Sequence, residues 1–166
     1  MNTQPVLVVL RLIHVVAGVL WVGGAAVLAF FVLPAARGDR DLSSLREIIW
    51  TRNLPRYLNV TLSLALLSGL LMYGNLVKVT YGAYAKSRVG MALGAGGGLA
   101  ILAALVATFV AAPAVHRALE LDQSSPGDSS TRTMIDASLK RYAAAMRLVV
   151  ALLIGTAALM ATARYL

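Results

Sequence analysis

From Val6 to Leu33 the chain reads VLVVLRLIHVVAGVLWVGGAAVLAFFVL, an apolar run broken only by Arg11 and His14. The hydrocarbon core of a bilayer is about 30 Å thick, which a helix of roughly 20 residues crosses. In lipid an unpaired backbone N–H or C=O costs several kcal/mol, so a crossing segment has to be helical. Three more runs have the same character, at about Tyr57–Leu76, Val89–Val115 and Ala143–Ala163. The expectation is an all-α four-transmembrane-helix bundle, one integral membrane domain over residues 1–166. Helices are expected at about 6–33, 57–76, 89–115 and 143–163, with a short amphipathic interfacial helix between the first two.

Composition points the same way. The chain of 166 residues is 59% hydrophobic and 13% charged, where a soluble domain is nearer half apolar and one quarter charged. Cysteine is absent, which excludes disulfides, thiolate metal sites and redox pairs. The net charge is +8. Because the basic residues sit between apolar runs, their natural partners are anionic headgroups of the lipid bilayer, and no nucleic acid is implied. No Lys or Arg precedes the first apolar run, which is also far longer than the core of a signal peptide.

Pro34 is expected to end the first helix, and Pro55 to sit in the first turn of the second, where its missing N–H costs little. In loop one, Ser44-Leu45-Arg46-Glu47 reads as a capping box. Leu45, Ile48, Ile49 and Trp50 then form the face of a helix lying on the membrane interface. Loop two carries Lys78, Tyr81, Tyr84, Lys86 and Arg88, typical interfacial anchors. Loop three holds a turn at Ser124–Ser130, with its flanking helices reaching into water. Of the 15 Lys and Arg residues, ten border loops one and three, and Arg11, Lys78, Lys86, Arg88 and Arg164 lie on the other side. The positive-inside rule therefore puts loops 34–56 and 116–142 in the cytoplasm and both termini outside.

Polar groups inside the bilayer are expensive and mark candidate sites. His14 shares a helix face with Arg11, Gly18, Trp21 and Ala25. A neutral imidazole there can ligate a metal or a haem iron; the competing reading is a hydrogen bond that ties two helices. His116 falls at the other end of the bundle, roughly 25–30 Å from His14 along the axis, so it reads as an interfacial residue and not as a second ligand. Met72, Met91 and Met160 fall in the half that contains His14. Thioether with imidazole suits Cu(I) or haem iron, though methionine also fills apolar cores. Asn59, Ser63, Ser68 and Gly69 form a polar stripe expected to face the bundle, where such groups bond across helices. Gly90, Gly94 and Gly98, at spacing four, permit close helix approach within a homo-oligomer or a larger membrane complex.

Every Asp and Glu lies outside the four apolar runs, in the expected loops. This removes the intramembrane carboxylate that a proton-driven carrier uses and the paired carboxylates of a hydrolase. HExxH and GxSxG motifs are absent too. A redox role would require a bound haem or metal.

The segment Leu12-Ile13-His14-Val15-Val16-Ala17-Gly18-Val19-Leu20-Trp21-Val22-Gly23-Gly24 resembles the opening helix of the copper resistance protein D (CopD-like) superfamily of small bacterial four-helix membrane proteins. Leu54-Pro55-Arg56-Tyr57, Leu67-Ser68-Gly69-Leu70-Leu71-Met72-Tyr73 and the ending Ala161-Thr162-Ala163-Arg164-Tyr165-Leu166 are similar to other parts of such proteins. The resemblance implies an inner-membrane protein associated with copper movement. Through the related-looking membrane protoporphyrinogen oxidases it also implies haem b held by a first-helix histidine. On this chain those roles fall on His14, with Trp21 beside it. The alternative is a non-catalytic subunit or assembly factor of a larger membrane complex; an ion or solute carrier comes third.

Overall fold

The computed structural model describes residues 4–38, 42–124 and 129–166. All regular structure in these residues is helical. Four spans, Pro5–Ala35, Leu54–Val79, Arg88–Ser124 and Ser129–Thr162, are long and apolar enough to cross a membrane. Large apolar side chains such as Val8, Leu12, Val19, Phe31, Leu67 and Phe109 point outward, the reverse of a soluble surface. The chain is an all-α four-helix bundle and a multi-pass membrane protein.

Pro34 does not end the first span. Helix α1 (Gln4–Val27) passes through a π-helical turn, Leu28–Val32, into α2 (Leu33–Gly38). A proline inside an α-helix has no N–H, and its ring crowds the carbonyl four residues back, here that of Phe30. Widening the turn relieves the crowding, and the Leu33 N–H bonds the Leu28 carbonyl instead. Local π adjustment is how membrane helices re-satisfy backbone groups around proline. The third span repeats the device. Helix α6 (Arg88–Val106) passes through the π turn Ala107–Ala111 into α7 (Ala112–Ser124), with the Ala112 N–H bonding Ala107 just before Pro113.

Loop one contains a short helical turn, Ser43–Arg46 (α3), and a third π turn, Glu47–Thr51. The expected capping box does not form around Glu47. Its carboxylate accepts from the Arg52 guanidinium at 3.1 and 3.2 Å, and the helix already begins at Ser43. The side chains of Ser44 and Trp50 lie outside the described residues. Leu45 and Ile49, expected on the membrane interface, are instead buried in the core with Val115 and Leu119. An ion pair between Arg46 and Asp122 of α7 draws the segment onto the bundle. It forms a floor under the helices.

Asn53 adopts the left-handed conformation (φ 50°), which Asn tolerates better than most residues. It turns the chain into α4 (Leu54–Val79), with Pro55 in the first turn. Tyr81 and Gly82, both at positive φ, make the second loop and lead through α5 (Ala83–Lys86) to the third span. The expected turn at Ser124–Ser130 falls mostly outside the described residues; α7 reaches Ser124 and α8 (Ser129–Thr162) starts at Ser129. The third span therefore continues past residue 115, and the fourth begins well before residue 143.

Packing is antiparallel in two pairs, α4 against α1 and α8 against α6 and α7. Gly96 brings α6 close to α8, where the Thr156 hydroxyl donates to the Gly96 carbonyl at 3.2 Å. The core gathers at the loop-one end around Trp21, Leu28, Ile49, Val115, Tyr142 and Val149. The second span stays at the side. Only Thr61, Ala65 and Ser68 of α4 are buried, and Tyr73 joins it to the third span by donating to the Gly90 carbonyl at 3.2 Å.

Candidate functional site

Two places carry chemistry, one in each half of the bundle. The first is His14. Its Nδ1 lies 2.8 Å from the Ala65 carbonyl oxygen and 3.5 Å from the Ser68 hydroxyl, both on α4. The carbonyl can only accept, so Nδ1 carries the proton and donates. The other ring nitrogen, Nε2, then keeps its lone pair. Gly69 makes room for the ring, since a Cβ there would stand 2.8 Å from the imidazole Cε1. One turn along the same face of α1, Gly18 borders open space.

The three methionines share this half with His14 but are not gathered around it. Met72 follows Ser68 by one turn on the same face of α4. Met91 is 56% exposed. Met160 packs its Cγ toward Gly96 between α6 and α8. Among the described residues no group of three or more His, Cys, Asp or Glu side chains is placed to hold a metal. Trp21 stands about 10 Å further along α1 than His14; it is 4% exposed and belongs to the core of the other half.

The second place is a cleft at the loop-one end. Here α4 and α7 stand apart and leave an open groove of about 750 Å³, lined by Asn53, Arg56, Asn59, Ser63 and His116 among apolar neighbours. Behind it lies a cavity of about 110 Å³ walled by Trp21, Leu58, Leu62, Ala111, Tyr142 and Val149. Ile49, Pro55, Asn59 and His116 border both spaces.

This corrects the expected polar stripe. Asn59 and Ser63 are exposed and face the groove, while Ser68 is buried against His14. Helix rotation is 100° per residue, so five residues turn Ser68 about 140° away from Ser63, and one stripe becomes two faces. His116 is exposed, as an interfacial residue would be, but its part in lining the cleft was missed. The available signal was the run Arg56, Asn59, Ser63 at helical spacing.

The helix-three glycines also divide. Gly90 lies against the Tyr84 backbone and Gly94 beneath the Tyr73 hydroxyl, both within the chain, whereas Gly97 and Gly98 border open space. Compared with known protein families, curated proteins and solved structures, the chain finds no match.

Proposed function

We propose that this membrane protein is CopD-like and holds a redox cofactor, haem b before copper, at His14. It sits in the inner membrane with loops 34–56 and 116–142 in the cytoplasm and both termini outside. The observation that carries the reading is the bond from His14 Nδ1 to the Ala65 carbonyl. A ligating histidine almost always donates its second nitrogen to a carbonyl or carboxylate, which fixes ring and tautomer and leaves the other nitrogen free for the metal.

A porphyrin supplies four ligands of its own, so a lone histidine suffices to hold it. Open space at Gly18 suits a flat ring, and exposed Arg11, one turn before His14, suits its carboxylates. The methionine set fits a bare copper ion less well, because Met91 faces outward and Met160 packs elsewhere. Met72 is the remaining thioether on the right face. Trp21 has no part in this site. When bound, haem would supply one-electron chemistry.

The test is an optical spectrum with metal analysis on purified protein. A Soret band lost in His14→Ala is expected. Stoichiometric copper lost in His14→Ala and Met72→Ala would move the reading to copper. A colourless, metal-free protein that takes up neither on reconstitution overturns both.

A second reading rests on a different face. Gly98 is open, and Ile101, Leu102 and Leu105 continue its stripe outward, a surface suited to a partner helix. Under this reading the protein is a subunit or assembly factor, and a stoichiometric membrane partner lost in Gly98→Leu is the expected finding.

A further inference from the structure

The three π turns meet at one place. Leu28 from the first, Ile49 from the second, and Ala107, Thr108 and Ala111 from the third all line the cavity beside Trp21. A π turn is wider than an α turn, and such turns recur at functional sites. Here they hold open a small apolar chamber inside an otherwise packed core.

The chamber and the groove divide their chemistry. The chamber is walled mainly by aliphatic side chains and Trp21, with Asn59, Thr108, His116 and Tyr142 as its polar members. The groove offers a guanidinium (Arg56), two side-chain amides (Asn53, Asn59), a hydroxyl (Ser63) and an imidazole (His116), and no carboxylate borders either space. The side chains of Asn59, Ser63, Thr108 and His116 make no hydrogen bond within the described residues. Arg56 stands at the start of α4, where the membrane interface is expected, and Leu64 closes the groove about 12 Å deeper. The groove lies between α4 and α7, and the apolar side chains of Val60 and Leu64 that border it are exposed on the outside of the bundle.

A soluble anion would have no use for the apolar chamber. A hydrocarbon would have no use for Arg56 and the amides. An amphiphile with an anionic head uses both. We propose that the cleft binds one anionic phospholipid, with its phosphate on Arg56 and the amides and imidazole around it, and a stretch of one acyl chain beside Trp21.

The chain has two tryptophans, Trp21 and Trp50, so Trp50→Phe leaves Trp21 as the sole reporter. At 4% exposure Trp21 is shielded from bulk lipid. The full-length Trp50→Phe protein is placed in phosphatidylcholine nanodiscs and titrated with phosphatidylglycerol brominated on its acyl chains. Saturable quenching of Trp21 is expected, displaced by unbrominated phosphatidylglycerol. Brominated phosphatidylcholine should quench at least about fivefold less effectively. Adding Arg56→Gln should weaken the phosphatidylglycerol response about fivefold, the worth of one basic group near an anionic lipid, while Arg56→Lys retains most of it.

Equal quenching by both lipids, or none by either, overturns the proposal. So does displacement by free glycerol phosphate, which would mean that the site reads the phosphate alone. Should Arg56→Gln fail to fold, the comparison of the two lipids on protein with Arg56 intact decides. Loss of His14 leaves the cleft signal unchanged, so this outcome is independent of the cofactor reading.

Discussion

At the residue scale, the pairing of His14 with Gly69 makes the sharpest demand on sequence. Gly69→Ala would drive a methyl into an imidazole held by its own hydrogen bond. Overpacking of this kind costs about 1–3 kcal/mol. The expected result is a matching loss of stability in SDS unfolding followed by circular dichroism. Gly98→Ala, which meets nothing, should cause no loss and can add up to about 1 kcal/mol, because glycine weakens a helix interior. The sequence marks His14 plainly, because an imidazole stands out in an apolar run. It does not mark the partner. Ala65 contributes a backbone carbonyl, which every residue has, and only the packing of α4 on α1 selects it.

At the scale of elements, the π turns were invisible in the sequence for a related reason. Proline stops a helix in water because the orphaned carbonyl and the crowded turn favour chain reversal. In lipid, reversal would expose several backbone groups, and a widened turn costs less. The sequence LAFFVLP ending at Pro34 and the sequence ATFVAAP ending at Pro113 each place phenylalanine four residues before proline, and each folds as a π turn followed by one residue and proline. Pro113→Ala restores an N–H there. Amide hydrogen exchange across residues 107–113 is expected to slow as the turn tightens toward α geometry; unchanged exchange would mean that packing, not the proline, sets the turn. The floor of the bundle has its own test. Arg46 and Asp122 are partly exposed, so Asp122→Asn should cost only about 1 kcal/mol. Its clearer effect should be faster tryptic cleavage after Arg46 and Arg52 as the segment loosens.

For the molecule as a whole, the four crossings were legible from composition and run length alone, because lipid sets both. The cleft was not, since it depends on how far α4 and α7 diverge, and neither helix encodes that alone. Orientation can be tested directly, because the chain lacks cysteine. Tyr81→Cys, at a side chain that is 99% exposed, should react with an impermeant maleimide on intact cells. Glu120→Cys should react only after permeabilisation, and the opposite pattern reverses the topology. The pairing of spans has one more consequence, for biogenesis. Residues up to loop two complete one antiparallel hairpin, through His14 with Ala65 and Gly24 with Leu58, and the remainder completes another, through Gly96 with Thr156. Each hairpin can insert as a unit while it leaves the ribosome, and the two need only dock side by side. A gene split at Gly82 and expressed as two polypeptides is therefore expected to yield a reassembled protein in the same membrane.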